Sequence, residues 1–253
     1  MLRYDDPYSL AALFHLNSEP WGNQAAYEDP HGRVMEFKTH EGGGAVPLPD
    51  PTESPLTSLI AARRSCRSFG SEPVTTMQLA ALLEAAYGVT GLVDWGDGLR
   101  AFTRAVPSGG ARYPLELYAL CQRVKGVDAG IHHFNARDRT LYPIQVPYSI
   151  VDLSSALLHQ VYVREAAVLV MMAAVFPRVL NKYGARGYRY ALIECGHAAQ
   201  NLCLRAAELG LVTLCVGGFY DRAVNSILRL DPWKEGTLYI VAVGHDAAAR
   251  AEG

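Results

Sequence analysis

An arginine-rich segment early in the chain carries groups that suit a phosphate monoester. Its relevant members lie within residues 63–67 and are Arg63, Arg64, Ser65 and Arg67. Guanidiniums donate charge-assisted, bidentate hydrogen bonds to phosphate oxygens, and the serine adds a hydroxyl group. A solvated basic loop is the alternative interpretation. We favour the phosphate site because the basic residues concentrate beside turns rather than along an exposed helix face.

Two glycine-bearing segments could bring backbone N–H groups close to a polar ligand. The first directly precedes a predicted strand and consists of Pro107, Ser108, Gly109, Gly110 and Ala111. The second, Gly217 and Gly218, follows a predicted strand, where open sheets often bind ligands. Glycine permits a close approach because it has no Cβ. Each segment alone is also typical of an ordinary turn.

The spacing of cysteine and histidine predicts neither a metal site nor a disulfide framework. The five cysteines are an odd number and include no C-x-x-C pair. His132 and His133 are neighbours on a predicted strand, so their side chains point to opposite faces and cannot share one metal ion. His197 lies on the apolar side of a predicted helix, where a structural role is favoured. A nucleophilic cysteine paired with histidine has no local signature here.

Helix signals lie on both sides of the arginine-rich segment. Ser54 and Pro55 predict the start of a short helix, with the serine as N-cap and proline in the first turn. Thr75 and Gln78 form the capping box of a second helix, which Gly88 ends. The two helices therefore frame the segment that could hold phosphate.

The remaining pattern predicts an α+β domain. Apolar and β-branched runs predict strands at 115–122, 131–135, 140–144, 167–175, 211–216 and 237–243. Helices are predicted at 152–159 and 190–209, and a loop at 91–98. Helices and strands are interleaved without strict alternation, which favours a layered domain with a mixed central sheet flanked by helices.

Composition limits the classes of function and location. A net charge of −2 with 19% charged residues predicts no binding to nucleic acid. The longest apolar run, residues 166–176, has eleven residues, against the roughly 20 needed to cross a bilayer. The first seven residues lack the charge order of a secretory signal, so we expect a cytoplasmic protein. Residues 1–53, rich in Pro, Gly, Asn and Asp, predict an extended arm before a domain over 54–253.

In their order and separation, the three segments resemble the nitroreductase superfamily over about residues 56–244. The resemblance implies a flavin mononucleotide (FMN) whose phosphate is held by Arg63, Arg64, Ser65 and Arg67. It implies that the ribityl chain and ring are lined by residues 107–111, in particular Ser108, Gly109 and Ala111. It also implies that the flavin N5 lies beside Gly217 and Gly218.

The resemblance also implies a homodimer, because dimers of this family build the cofactor site from both subunits. The helix over residues 190–209 is rich in small residues and is the candidate for the dimer core. The chain departs from the simple nitroreductases after its last strand. They carry a Lys/Arg pair there for the phosphate, whereas Arg250 is the only late basic residue here.

A closer resemblance is to the SagB-type azoline dehydrogenases. It is carried by P-S-G-G-A-R-Y-P-L-E-L-Y at 107–118, K-Y-G-A-R-G-Y-R-Y at 182–190, G-H-A-A-Q-N-L at 196–202 and H-L-N-S at 15–18. Members of that subgroup oxidise thiazoline or oxazoline rings in modified peptides to thiazole or oxazole, and their relatives act on carrier-bound intermediates. The resemblance implies a catalytic role for Lys182 and Tyr183.

Azoline chemistry explains why a lysine and a tyrosine would be needed. Aromatisation removes a proton from one ring carbon and a hydride from its neighbour, so a base must lie within reach of the proton. We interpret Lys182 as that base and Tyr183 as its hydrogen-bonding partner. An apolar pocket with Arg186 and Arg189 nearby would favour the neutral amine that a base requires. Without the resemblance, a solvated loop lysine and a packing tyrosine are favoured.

The sequence thus predicts a homodimeric, FMN-dependent dehydrogenase acting on an azoline or a related peptide-bound or carrier-bound intermediate of natural-product biosynthesis. One alternative is a nicotinamide-dependent nitro- or quinone reductase on the same fold. Rapid flavin reduction by NADH or NADPH, with no role for Lys182, would favour it. Another is a non-catalytic subunit of a synthetase complex, which colourless protein that takes up no flavin would favour.

Overall fold

The structure is a computed structural model that describes residues 7–19, 37, 44–94, 96, 100–158 and 160–248. The helices are α1 (Pro7–Ser18), α2 (Pro55–Ala62), α3 (Thr76–Tyr87), α4 (Ile150–Ala156), α5 (Pro177–Tyr183), α6 (Arg186–Glu208) and α7 (Asp221–Leu228). The strands are β1 (Val74–Thr75), β2 (Val89–Asp94), β3 (Arg100–Arg104), β4 (Leu115–Cys121), β5 (Val124–Lys125), β6 (Gly130–Asn135), β7 (Thr140–Ile144), β8 (Val168–Val175), β9 (Val212–Val216) and β10 (Glu235–Gly244). None of the helices in these ranges is long and apolar enough to cross a membrane.

A six-stranded sheet in the order β7-β6-β4-β8-β10-β9 forms the centre of the domain. Each pair of neighbouring strands in it is antiparallel. The middle strand β8 is buried on both faces, which explains its unbroken apolar sequence. A parallel bridge from Ser65 to Thr213 makes the sheet mixed at the outer side of β9. The predicted α+β class with a mixed sheet is confirmed.

Helices cover both faces of this sheet, so successive residues of a strand belong to different cores. On β4, Leu117 and Ala119 face the core that includes α3 and α6. Tyr118 and Leu120 face the second core, which α4 and α7 cover. Each fully buried leucine contributes about 1.5–3 kcal/mol relative to an exposed one. The two cores hold the sheet as a rigid support for the loops at its ends.

The predicted helix starts around the arginine-rich segment are confirmed. Ser54 caps α2 by accepting a hydrogen bond from the backbone N–H of Thr57, and proline occupies the first turn. Thr75 and Gln78 form the reciprocal capping box of α3, at 3.1 and 2.9 Å. Local side-chain chemistry is enough to start both helices.

The prediction of an extended arm was wrong for Pro7–Ser18, which form α1. Ala11 and His15 of this helix are buried against the domain. The helix escaped prediction because its apolar residues are not confined to one side, so no amphipathic stripe marks it. The boundary between residues 53 and 54 stays a prediction.

Three further element boundaries differ from the prediction. Residues 91–98 were predicted as a loop, but β2 and β3 form a hairpin in which Leu92 pairs with Phe102. The glycines and aspartates of this stretch outweighed its one β-branched residue, Val93. The long helix α6 begins four residues earlier than predicted, at Arg186, and the preceding residues form the unpredicted α5. Ser149 caps α4, so that helix begins before the predicted residue 152, and its predicted end at residue 159 lies outside the described ranges.

Both outer strands of the sheet limit further pairing. Pro143 lies in the edge strand β7 and has no backbone N–H to offer. At the other edge, the N–H of Cys66 donates to the carbonyl of Thr213 in β9 at 2.9 Å. The arginine-rich segment therefore lies along one edge of the sheet.

Candidate active site

The arginine-rich segment begins at the end of α2 and continues beside β9. Arg63 is half-buried, while Arg64, Ser65 and Arg67 are exposed. None of the ion pairs found among the described residues involves these three arginines. Arg64 folds back and donates to the carbonyl oxygens of Ala61 and Arg63. Arg63 and Arg67 therefore offer guanidiniums that no carboxylate in the described ranges neutralises.

The glycine-rich loop has a strained backbone. Gly110, Ala111 and Tyr113 all have positive φ angles, of 60°, 52° and 44°. Left-handed conformations cost non-glycine residues about 1–3 kcal/mol each and cluster at functional sites. The hydroxyl of Ser108 holds the loop by accepting the backbone N–H of Tyr113 at 2.9 Å. This segment is built for a specific shape rather than as an ordinary turn.

Lys182 and Tyr183 meet this loop at Gly110. A Cβ atom added to Gly110 would overlap the Tyr183 hydroxyl and lie 2.7 Å from the Lys182 amine. The amine lies 5.2 Å from the centre of the Tyr183 ring, and that ring packs edge-on against Tyr190 at 5.0 Å. Lys182 is exposed and Tyr183 half-buried. The end of α5 thus places an amine and a phenol directly over the glycine-rich loop.

A buried carboxylate that sequence reasoning missed ties the loop to α6. Glu194 accepts a hydrogen bond from the Tyr87 hydroxyl at 2.6 Å and one from the Ser108 hydroxyl. It is only 2% exposed, and burial raises the pKa of its carboxyl group. Tyr87 also accepts the N–H of Leu115, where β4 begins. The sequence offers one indication of this burial, because Glu194 lies four residues before Ala198 and therefore on the buried stripe of α6.

The turn at Gly217 and Gly218 ends β9, as the sequence predicts. Gly217 is exposed, and a Cβ there would lie 3.6 Å from the Tyr239 ring. Gly218 packs more tightly, with a virtual Cβ 3.0 Å from Leu158, and its carbonyl accepts the side-chain amide of Gln160 at 3.3 Å. The exposed backbone at Gly217 is open to a ligand.

Helix α6 links the two halves of the candidate site. Near its N-terminal half, Tyr190 and Glu194 contact the glycine-rich loop. Further along, the sulfur of Cys203 lies 3.7 Å from that of Cys215 on β9, the strand that Ser65 borders and Gly217 follows. Glu194 and Cys203 are nine residues apart, or about 13 Å along a helix. The structure brings the loop together with Lys182 and Tyr183, and it places the arginine-rich segment and the glycine turn on the same strand, β9.

The cavities agree only in part with this arrangement. A cavity of about 250 Å³ is lined by Ser108, Gly109, Tyr190, Glu194 and His197, among others. One of about 500 Å³ is lined by Arg112, Pro177, Arg178, Asn181 and Lys182. A third, of about 870 Å³, lies between α3 and β6–β7 and is lined by none of the predicted site residues. Within the described ranges, no three His, Cys, Asp or Glu side chains cluster as metal ligands would.

Three of the five small residues of α6 at positions 196, 198, 199, 206 and 207 are buried within the subunit. Ala198, Ala199 and Ala206 are buried in this subunit's own core, because they let α6 approach the sheet closely. Leu192 and Ile193 of the same helix are exposed instead. Gly196 of the small stripe is exposed as well, so the role of α6 in a dimer stays a prediction.

Known families and proteins match most of the chain. The nitroreductase family model matches residues 60–245. MJ1384 of Methanocaldococcus jannaschii, named as a nitroreductase, is 38% identical over 199 residues, which are 79% of this chain and 95% of that protein. The trifolitoxin-processing protein TfxB of Rhizobium leguminosarum bv. trifolii is 28% identical over 214 residues, 79% of this chain and 57% of that protein. The chain therefore spans little more than half of TfxB.

One solved structure extends the likeness of fold to nearly the whole chain. A chain of the E. coli microcin synthetase McbBCD complex, with truncated pro-MccB17 bound, superposes with a TM-score of 0.69 at 22% identity. The superposition covers 95% of this chain and 94% of that one. At this identity the likeness concerns the fold alone.

Proposed function

The chain belongs to the nitroreductase family, and on that footing we propose that it is an FMN-dependent dehydrogenase. Its proposed reaction converts an azoline ring, in a peptide-bound or carrier-bound intermediate, to the aromatic azole. The likeness to TfxB, a protein that processes trifolitoxin, supports the SagB-type subgroup and a peptide-derived substrate. The observation that carries the proposal is the meeting of Lys182 and Tyr183 at Gly110.

The residues present fit the FMN phosphate. Arg63 and Arg67 have no carboxylate partner within the described ranges, and the hydroxyl-bearing Ser65 between them is exposed. A dianionic phosphate suits such a set, because guanidiniums bind phosphate oxygens in pairs. We assign Arg64 a supporting role in phosphate binding, since its guanidinium already donates to the carbonyl oxygens of Ala61 and Arg63.

We assign the ring of the cofactor to the two glycine segments. Ser108, Gly109 and Ala111 would line the ribityl chain and ring, and the exposed backbone of Gly217 would lie beside N5. When bound, FMN supplies a two-electron acceptor for the hydride that one azoline carbon loses. The strained loop and its hydrogen bond from Tyr113 to Ser108 fix the shape of this surface before any ligand arrives.

The chain's own chemical task is the proton. Lys182 takes the proton from the ring carbon next to the one that loses the hydride, and Tyr183 orients the substrate or shares that proton. Both side chains are held at one point by Gly110 and by the edge-on contact of Tyr183 with Tyr190. Lys182 is exposed in the single subunit, so substrate and a second subunit are the groups that exclude water from it.

A homodimer is part of the proposal. Exposed apolar side chains on two neighbouring helices support it, namely Leu56 and Ile60 of α2 and Leu192 and Ile193 of α6. Exposed apolar side chains that cluster on a surface are typical of a protein interface. A partner placed there would also border the arginine-rich segment, which follows α2 directly.

The decisive experiment combines a spectrum with one matched pair of variants. Purified protein should be yellow, release FMN on denaturation and oxidise a synthetic thiazoline peptide by two electrons. Lys182→Met should lower turnover at least about a hundredfold while leaving FMN content unchanged, because a general base contributes about 10²–10⁴-fold. Lys125→Met, which removes an exposed lysine on β5, should leave turnover unchanged. Thiazole formation is measured by a mass loss of about two hydrogen atoms, the chemistry of the aromatisation itself.

A nitro- or quinone reductase is the second candidate, favoured by the likeness to MJ1384. NADH or NADPH would then reduce the flavin rapidly, and Lys182→Met would leave that rate unchanged. No thiazole would form. Colourless protein that takes up no added FMN would contradict both enzymatic proposals and leave a structural subunit.

A further inference from the structure

A single histidine of α1 contacts two separate helices of the domain. The Nδ1 atom of His15 lies 3.0 Å from the Tyr188 hydroxyl of α6. Its Nε2 atom lies 3.4 Å from a carboxylate oxygen of Asp221, the first residue of α7. His15 and Tyr188 are buried, at 6% and 7% exposed. The contact with Tyr188 is a hydrogen bond, and it is costly to break because that leaves a buried polar atom without a partner. The Nε2 atom lies within ion-pair distance of Asp221 without forming a hydrogen bond to any described residue.

Proton positions in this chain of groups follow from burial. Burial raises the pKa of Tyr188, so its phenol keeps its proton and can donate to Nδ1. Burial also lowers the pKa of His15, which favours the neutral ring. With Nδ1 accepting from Tyr188, the remaining N–H of that ring is on Nε2, 3.4 Å from the Asp221 carboxylate. The other charged groups facing the cluster are Glu19 and Arg222. Burial and the Glu19 charge raise the pKa of Asp221 to about 6.

A second contact from the end of α1 holds the same helix α7. Glu19 directly follows α1, and its carboxylate accepts the backbone N–H of Arg222 at 3.0 Å. The same carboxylate pairs with the Arg222 guanidinium at 3.1 Å. His15 and Glu19, which lie one helical turn apart, therefore both contact the first turn of α7.

Tyr188 and Asp221, which His15 contacts, lie close in sequence to the two halves of the candidate site. Tyr188 comes five residues after Tyr183, and Asp221 comes three residues after Gly218. Helices α5 and α6 pack tightly at their junction, because a Cβ added to Gly187 would lie 2.9 Å from the backbone of Val179. Holding Tyr188 consequently holds the end of α5, which carries Lys182 and Tyr183.

We infer that His15 is a positioning residue that fixes the Lys182–Tyr183 pair relative to the Gly217–Gly218 turn. The part it plays in catalysis rests on the proposed function, whereas the mechanical coupling does not. The N-terminal segment is then a component of the active-site frame. Loss of His15 should loosen both halves of the site together.

Amide hydrogen exchange tests the coupling without any substrate. His15→Ala and Tyr188→Phe should each speed exchange about tenfold over residues 181–188 and 217–224, because each removes the buried hydrogen bond between α1 and α6. Exchange over β4 should not change. Asn17→Ala, an exposed position on the same helix, should leave all three regions unchanged. Faster exchange confined to α1 would overturn the inference.

Turnover on the thiazoline peptide tests the catalytic consequence. Tyr188→Phe keeps the buried ring and should lower kcat about tenfold with KM within about twofold, since orientation and not binding is lost. Asp221→Asn, which keeps a hydrogen-bond acceptor, should retain more of kcat than Asp221→Ala. Normal kcat in Tyr188→Phe despite faster exchange would overturn the positioning role. Wild-type protein that forms no thiazole would contradict the proposed function and leave the exchange experiment intact.

Discussion

The two ends of the candidate site are built in different ways. The guanidinium end, formed by Arg63, Arg64 and Arg67, comes from one continuous segment that lies exposed along the sheet edge. The lysine end, formed by Lys182, Tyr183 and Gly110, comes from distant parts of the chain that touch within a few ångströms. The first end depends on charge and the second on packing. Substitutions at the two ends should therefore fail in different ways.

Gly110→Ala should produce the largest effect at the lysine end. The new Cβ would overlap the Tyr183 hydroxyl, approach the Lys182 amine and force alanine into a positive φ of 60°. We expect turnover on the thiazoline peptide to fall at least about a hundredfold, because displaced catalytic groups lose their orientation. Turnover and FMN content are measured on the same preparation.

Gly196→Ala is the matched control, because a Cβ there meets nothing within 4 Å. It should keep full turnover and raise the free energy of unfolding by about 0.5–1 kcal/mol, as alanine does in a helix. Equal turnover in the two variants would show that the meeting at Gly110 has no catalytic meaning.

Arg67→Ala should produce an intermediate effect of another kind at the guanidinium end. A hydrogen bond to a charged group is worth about 1.5–3 kcal/mol, so the Kd for FMN should rise roughly 10- to 100-fold. Turnover at saturating FMN should change little. Fluorescence titration at two salt concentrations should also show a weaker salt dependence. Arg139→Ala, which removes an exposed arginine beside β7, should bind FMN normally; an unchanged Kd in Arg67→Ala would remove this arginine from the phosphate site.

Glu194→Gln should give the smallest effect of these substitutions, a change in how the free energy of unfolding depends on pH. The folded carboxyl group has a pKa raised by burial above its ordinary 4.5, so the folded state holds the proton more tightly. The contribution of this carboxyl group to the free energy of unfolding is fully present below pH 4.5 and is lost as pH rises through the folded pKa. The free energy of unfolding of the variant should therefore rise relative to that of the wild type as pH increases. Urea unfolding at pH 5 and 8 measures the difference, and a gain that shrinks with pH would contradict it.

Sequence reasoning found the parts of the site that are continuous in the chain. The arginine-rich segment follows a helix whose N-cap and proline are explicit, and the glycine turn follows an apolar strand. Strands β4 and β8 were predictable because their apolar runs are buried on both sides. The chemistry of these segments depends on neighbours in sequence, which a pattern can show.

The parts that escaped prediction depend on contacts across the chain. Glu194 is one polar residue in an apolar stripe, and only the partner Tyr87 explains it. His15 lies in a helix without an amphipathic stripe, and its partners are about 170 and 200 residues away. Three of the small residues of α6 serve the close approach of that helix to its own sheet, a contact that the sequence does not show.

The two guarded edges of the sheet determine how this protein can assemble with others. A strand from another chain cannot extend the ladder freely at β7, where Pro143 interrupts the row of donors, or beside Thr213, where Cys66 already occupies the acceptor. Fibril-like growth and capture of extended peptides at these borders are disfavoured. Stable association is thereby directed to the helical faces, and the proposed peptide substrate would reach the site without pairing with these two edges.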